Sequence, residues 1–185
     1  VHLDVLDKTL YPFESWFDPR ILRRGNIRAK IELHLMVNDP AAYVNDVSRI
    51  PNVKRIIWHV EAPIDHAALI KRCRRKHLEV GLALGPDTIL SSLIPFLHEV
   101  DEVLVMGVVP GKSGQKILPH TLKTLHALHQ LVPRLALGFD GGVTRSHLRS
   151  LVHRGASRVY AHSLVFKTKH PDQSLRAFNA LFKTL

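Results

Sequence analysis

The chain has 185 residues, 45% of them hydrophobic and 23% charged, a balance that marks a globular protein and excludes a disordered or collagen-like chain. A formal net charge of +10 favours acidic partners such as phosphorylated metabolites, yet the basic residues are spread along the chain, so a nucleic-acid stripe is not expected. No apolar run reaches the roughly 20 residues of a membrane helix, Val1–Asp4 does not open a signal peptide, and the lone Cys73 forms no internal disulfide, so a cytoplasmic location is expected.

In chain order, the first strand-like run is His2–Leu6 and the second Ala29–Val37. Asp39-Pro40 then caps a helix over Ala41–Ser48. Arg55–Val60 reads as a strand, Asp65–Lys76 as a helix and Glu79–Leu84 as a strand. Thr88–Leu97 is a helix candidate interrupted by Pro95, followed by the strand Glu102–Val108. Pro119–Leu131 carries Leu122, Leu125, Leu128 and Leu131 at helical spacing. Leu135–Phe139 is a strand, Thr144–Arg154 a helix ending before Gly155, Arg158–Ala161 a strand, and Asp172–Leu185 a closing helix.

Several strand runs are nearly all apolar, as in parallel strands buried on both faces. The alternation predicts one α/β domain over residues 1–185, either a doubly wound sheet or a (β/α) barrel. No Gly-x-Gly-x-x-Gly follows the first strand, which disfavours the dinucleotide-binding version. The count is about seven strands, one βα unit short of an eight-stranded barrel.

Ionisable residues interrupt these apolar runs. His2 and Asp4 share one strand face by the period of two, His34 interrupts the second strand, and His59 and Glu61 end the third. Asp140 ends the sixth, before Gly141-Gly142. Each has a plain alternative as a hydrogen-bonded core histidine, a turn aspartate or a frayed end. Together, at strand ends of a barrel, two imidazoles and two carboxylates would suit zinc or another first-row dication. The glycine-bearing turns Val109–Gln115 and Asp140–Val143 offer backbone N–H groups to a phosphate, or are ordinary turns.

At this point the motifs match a family. His2-Leu3-Asp4-Val5-Leu6-Asp7, His34-Leu35-Met36-Val37, His59-Val60-Glu61-Ala62, Gly81–Leu84, Val103–Met106 with Pro110–Gln115, Asp140–Val143 and Ala161–Phe166 occur in order over nearly the whole chain. In these the sequence resembles the ribulose-phosphate 3-epimerase family. The resemblance implies a ribulose-phosphate-binding type of TIM barrel, here without its first βα unit. It implies interconversion of D-ribulose 5-phosphate and D-xylulose 5-phosphate, a step of pentose phosphate metabolism. The barrel edge left open by the missing unit would be covered by another subunit, so a homo-oligomer is expected. It assigns His2, Asp4, His34 and Asp140 to one divalent metal, zinc first and iron, manganese or cobalt as alternatives. It also makes Asp4 and Asp140 the acid/base pair. Met36 and Met106 would crowd the intermediate, with core filling as their plain alternative. The phosphorylated ketopentose would meet His34, Gly111, Ser113, Gly114, Gly141, Gly142 and Ser163, under a lid formed by Gly111–Gln115. Two departures stand out: Leu6-Asp7-Lys8 replaces Met-Asp-Gly, and His162 replaces a glycine of the phosphate turn. The competing expectations are a related phosphosugar epimerase with another substrate, or a non-catalytic binding relative.

Overall fold

The computed structural model describes residues 1–25 and 27–185. Seven parallel strands run in sequential order: β1 (His2–Leu6), β2 (Ile31–Met36), β3 (Val53–His59), β4 (Glu79–Leu84), β5 (Glu102–Met106), β6 (Ala136–Asp140) and β7 (Arg158–Tyr160). They curl into an incomplete (β/α) barrel whose edges are β1 and β7. Among the described residues these edges share no ladder, but the rings of His2 and Tyr160 meet across them at 4.2 Å.

The period of two sorts each strand into two faces. Leu33, Leu35, Ile56, Trp58, Leu82, Leu84, Val103, Val105, Leu137 and Phe139 belong to the large core beneath the helices. Ile57, Ala83, Leu104 and Met106 form a separate small cluster inside the curl, with Tyr160 against it. Arg55 on β3 crosses that interior to Glu102 on β5, at 2.6 Å, and also pairs with Glu32 and Glu79 on the flanking strands. Glu102 is fully buried and takes Arg158 and the Tyr160 hydroxyl from β7 as well. The interior therefore has a charged layer below, an apolar layer in the middle and the ionisable site above.

The helices are α1 (Pro19–Arg24), α2 (Ala41–Val47), α3 (His66–Arg74), α4 (Pro119–Leu131), α5 (Leu148–His153), α6 (Ser163–Phe166) and α7 (Pro171–Lys183). Side chains start several of them: Asp18 accepts from the Arg20 amide at 2.8 Å and Asp65 from the Ala68 amide at 2.9 Å. The helix expected over Thr88–Leu97 is a 3-10 helix, Leu90–Phe96, with Pro95 inside it. The helix expected over Thr144–Arg154 begins as a 3-10 turn, Arg145–His147, before α5. On α7 Phe178 is buried, while Leu175 and Leu181 stay exposed. No helix among the described residues is long and apolar enough to cross a membrane.

Candidate metal and substrate site

Parallel pairing brings the site together. The register sets Asp4 opposite His34 across β1 and β2, and Met106 opposite Asp140 across β5 and β6. His2 sits two residues below Asp4 on the same interior face. One ligand atom from each of His2, Asp4, His34 and Asp140 lies within 4.8 Å of all the others. His2 opens its strand and His34 lies within its own, so their side chains, not their positions at strand ends, carry them to the site.

The Asp4 carboxylate joins the two imidazoles. Its Oδ1 is 3.1 Å from His2 Nε2 and 3.0 Å from His34 Nδ1. The other nitrogen of His2 reaches Glu32 at 2.8 Å. Burial works against charge on His2, but the carboxylates on both its nitrogens outweigh it and push the imidazole up to about 10. Burial dominates at the enclosed His34 and pulls it down to about 4, so it is a neutral imidazole at pH 7. Burial also opposes ionisation of Asp4, yet hydrogen bonds from His2 and His34 hold its carboxyl well below the usual range. Asp140 has no such partners. Burial, then the charge of Asp4, pushes it up to about 7. Two carboxyl groups of one site are thus pushed in opposite directions, and they titrate as a coupled pair.

The donor set suits a divalent cation. Two imidazoles and two carboxylates at this spacing match the nitrogen and oxygen ligands of first-row metals. The carboxylates that raise His2 would equally favour a divalent cation placed among them, which would take the place of the proton on His2.

Behind His34 lies a chain of polar groups. His34 Nε2 is 3.0 Å from His59 Nε2, and the two rings are nearly parallel, at 15°. His59 Nδ1 reaches Glu61 Oε2 at 3.1 Å and the Tyr11 hydroxyl at 3.2 Å. Glu61 Oε1 accepts from the Gly85 amide at 2.6 Å and from the Thr88 hydroxyl. Although burial raises it, the hydrogen bonds from His59 and Thr88 leave Glu61 lowered to about 2.

Above the cluster opens a cavity of about 320 Å³. Asp4, Met36, Met106, Asp140, Gly111, Ser113, Gly114, Gly141, Gly142 and Ser163 all line it, whereas His2 and His34 lie behind its wall. Gly142 has φ +70°, and a Cβ there would stand 2.7 Å from the Ile117 amide, so only glycine fits the turn. His162 also lines the cavity; its ring turns toward Phe166, at 5.3 Å, on α6.

Three neighbours escaped the sequence reading. Glu32 and Tyr160 share the strand periodicity of His34 and Arg158, which was the available signal. Phe13 comes from the stretch between β1 and α1 and had none. Its ring occupies the space a Cβ of Gly111 would need, and Lys112 Nζ stands 5.7 Å from its centre.

Compared with known proteins, residues 1–166 match the family model described as "Ribulose-phosphate 3 epimerase family". Ribulose-phosphate 3-epimerase of Schizosaccharomyces pombe is 30% identical over 178 residues, 94% of this chain and 77% of that protein. The protein of the same name from Treponema pallidum is 33% identical over 172 residues, 90% of this chain and 78% of its own. The cytoplasmic isoform from Oryza sativa is 29% identical over 96% of this chain and 79% of its own. Among solved structures, KGPDC from Streptococcus mutans superposes with a TM-score of 0.67 at 14% identity, covering 90% of this chain and 78% of that one. At such identity the likeness concerns the fold.

Proposed function

The chain belongs to the ribulose-phosphate 3-epimerase family, and from that premise we propose that it interconverts D-ribulose 5-phosphate and D-xylulose 5-phosphate by two-base proton transfer at C3. The observation that carries this is the pairing of Asp4 and Asp140 in one cluster at the base of the cavity.

Epimerisation takes a proton from one face of C3 and returns one to the other, so it needs a group on each face. In this reading the ionised Asp4 accepts a proton while Asp140 holds one to give, and the roles reverse in the other direction. A divalent metal, zinc first among the candidates, supplies the charge that stabilises the oxygen anion beside C3 when held by His2, Asp4, His34 and Asp140. Met36 and Met106, both almost fully buried beside the carboxylates, keep water from C3. Gly111, Ser113, Gly114, Gly141, Gly142 and Ser163 give the phosphate backbone and hydroxyl donors. Residues 111–115 act as the lid. The reading includes a cytoplasmic homo-oligomer, supported by the cytoplasmic isoform among its relatives and by the exposed Leu175 and Leu181 of α7.

The test is metal content together with turnover of ribulose 5-phosphate, on wild type and on Asp140→Asn. About one metal per chain and turnover abolished by the substitution are expected. Metal without turnover would turn the reading to another phosphosugar. Neither metal nor turnover would leave a binding relative.

A further inference from the structure

We propose that His59, held by Glu61, is a positioning residue that dictates which nitrogen of His34 is free, and thereby sets the affinity of the His2, Asp4, His34 and Asp140 cluster for a divalent metal. The proposal rests on the metal reading given above and extends it to residues outside the cluster.

Proton order along this chain of groups is fixed at its Glu61 end. A carboxylate can only accept hydrogen bonds. Glu61 already accepts from Gly85 and Thr88 on Oε1, and its Oε2 faces His59 Nδ1 at 3.1 Å. The proton of a neutral His59 therefore sits on Nδ1, and Nε2 is left as a lone pair. That lone pair points at His34 Nε2, 3.0 Å away. Two ring nitrogens at this distance share one proton, so His34 must supply it from Nε2. His34 Nδ1, the atom that faces Asp4 and the cluster, is then the nitrogen left for a cation, which on binding takes the place of the hydrogen bond that Nδ1 gives Asp4. The order Glu61, His59, His34 ends with a lone pair aimed where a cation would sit.

The opposite order is also available. If the Tyr11 hydroxyl donated to His59 Nδ1, at 3.2 Å, every proton would shift, and His34 would present N–H to the cluster. A charged acceptor outcompetes a neutral phenol for that nitrogen, so Glu61 decides. Neither imidazole has any solvent exposure.

Glu61→Gln tests this directly. The amide keeps the size of the carboxylate and can still accept from Gly85 and Thr88 through its oxygen. Its NH2 then donates to His59 Nδ1 and inverts the order. Zinc affinity would be measured by chelator competition, with the melting temperature of the metal-free protein beside it. The expected result is an affinity reduced by about 10- to 100-fold with little change in melting. Ring 15N shifts of the zinc-loaded wild type should show protons on His59 Nδ1 and His34 Nε2. His59→Gln, whose oxygen can still accept from His34 Nε2, should retain more affinity than His59→Leu, and this pair decides the matter if Glu61→Gln does not fold. Equal zinc affinity in wild type and Glu61→Gln, or a proton on His34 Nδ1 in the zinc-loaded protein, would overturn the proposal. No zinc uptake by wild type would overturn the metal reading and this proposal together, and that failure shows in the wild-type trace alone.

Discussion

Removing the Phe13 ring should loosen residues 111–115 without touching the ionisable cluster. The ring is half-buried, lies against Gly111 and faces the Lys112 ammonium at 5.7 Å. Truncating a half-buried phenyl group forfeits about 1 kcal/mol of apolar contact. An exposed cation–π pair adds about 0.5–1 kcal/mol. If these contacts hold the turn in its substrate-binding shape, Phe13→Ala loses about 1.5–2 kcal/mol, or roughly 10- to 30-fold in kcat/KM. Steady-state epimerase kinetics on Phe13→Ala, Lys112→Met and the double variant would measure it. The pair should show a coupling of about 0.5–1 kcal/mol, which separates the ring contact from any other work of Lys112. Phe13→Leu should recover the apolar part and not the coupling. A kcat/KM for Phe13→Ala within twofold of wild type, or strict additivity with Lys112→Met, would refute the reasoning.

Other outcomes can be checked independently. Gly142→Ala places a Cβ against the Ile117 amide at φ +70°, and should cost about 1–3 kcal/mol in urea denaturation and raise KM. Burial pushes the Cys73 thiol up to about 11, so a disulfide reagent at pH 8 should label it slowly in the native protein and at once in urea. Glu32 and Glu61 are both lowered from 4.5 to about 2, so their stabilisation is complete above about pH 4.5 and is lost as pH falls through about 2. His34, lowered to about 4, and Asp140, raised to about 7, act in opposite directions between about pH 4 and 6.5 and offset each other. Urea midpoints should therefore hold steady down to about pH 4.5 and then fall. Trp58→Phe removes the indole donor to His66, at 3.0 Å, and part of a fully buried side chain, and should lower stability by about 1–3 kcal/mol.

All seven strands were legible because most are rich in buried apolar residues and bounded by polar turns. Their composition reports burial between two packed layers, which periodicity can detect. Helices α1 and α6, with six and four residues, are too short to show a period, and the sequence reading passed over them. The cluster was readable from His2, Asp4, His34 and Asp140, since each is an ionisable residue in an apolar strand. His59 and Glu61 carried the same signal, but their link to His34 depends on the stagger of β2 against β3, which no spacing reveals. Phe13 reaches Gly111 by a path across the mouth, and nothing in its neighbourhood along the chain marks it.

His2 touches both ionic layers of the interior, with Asp4 on one nitrogen and Glu32 on the other. Glu32 in turn is bound by Arg55, which opens toward the opposite end of the curl beside Lys30, Lys54 and His77. The site therefore has an electrical back door. A charge altered at the amino-terminal rim changes what Glu32 can offer His2, and through His2 the charge balance of the cluster at the base of the cavity. Tuning the acidity of the cluster need not disturb a single residue that lines the cavity above it.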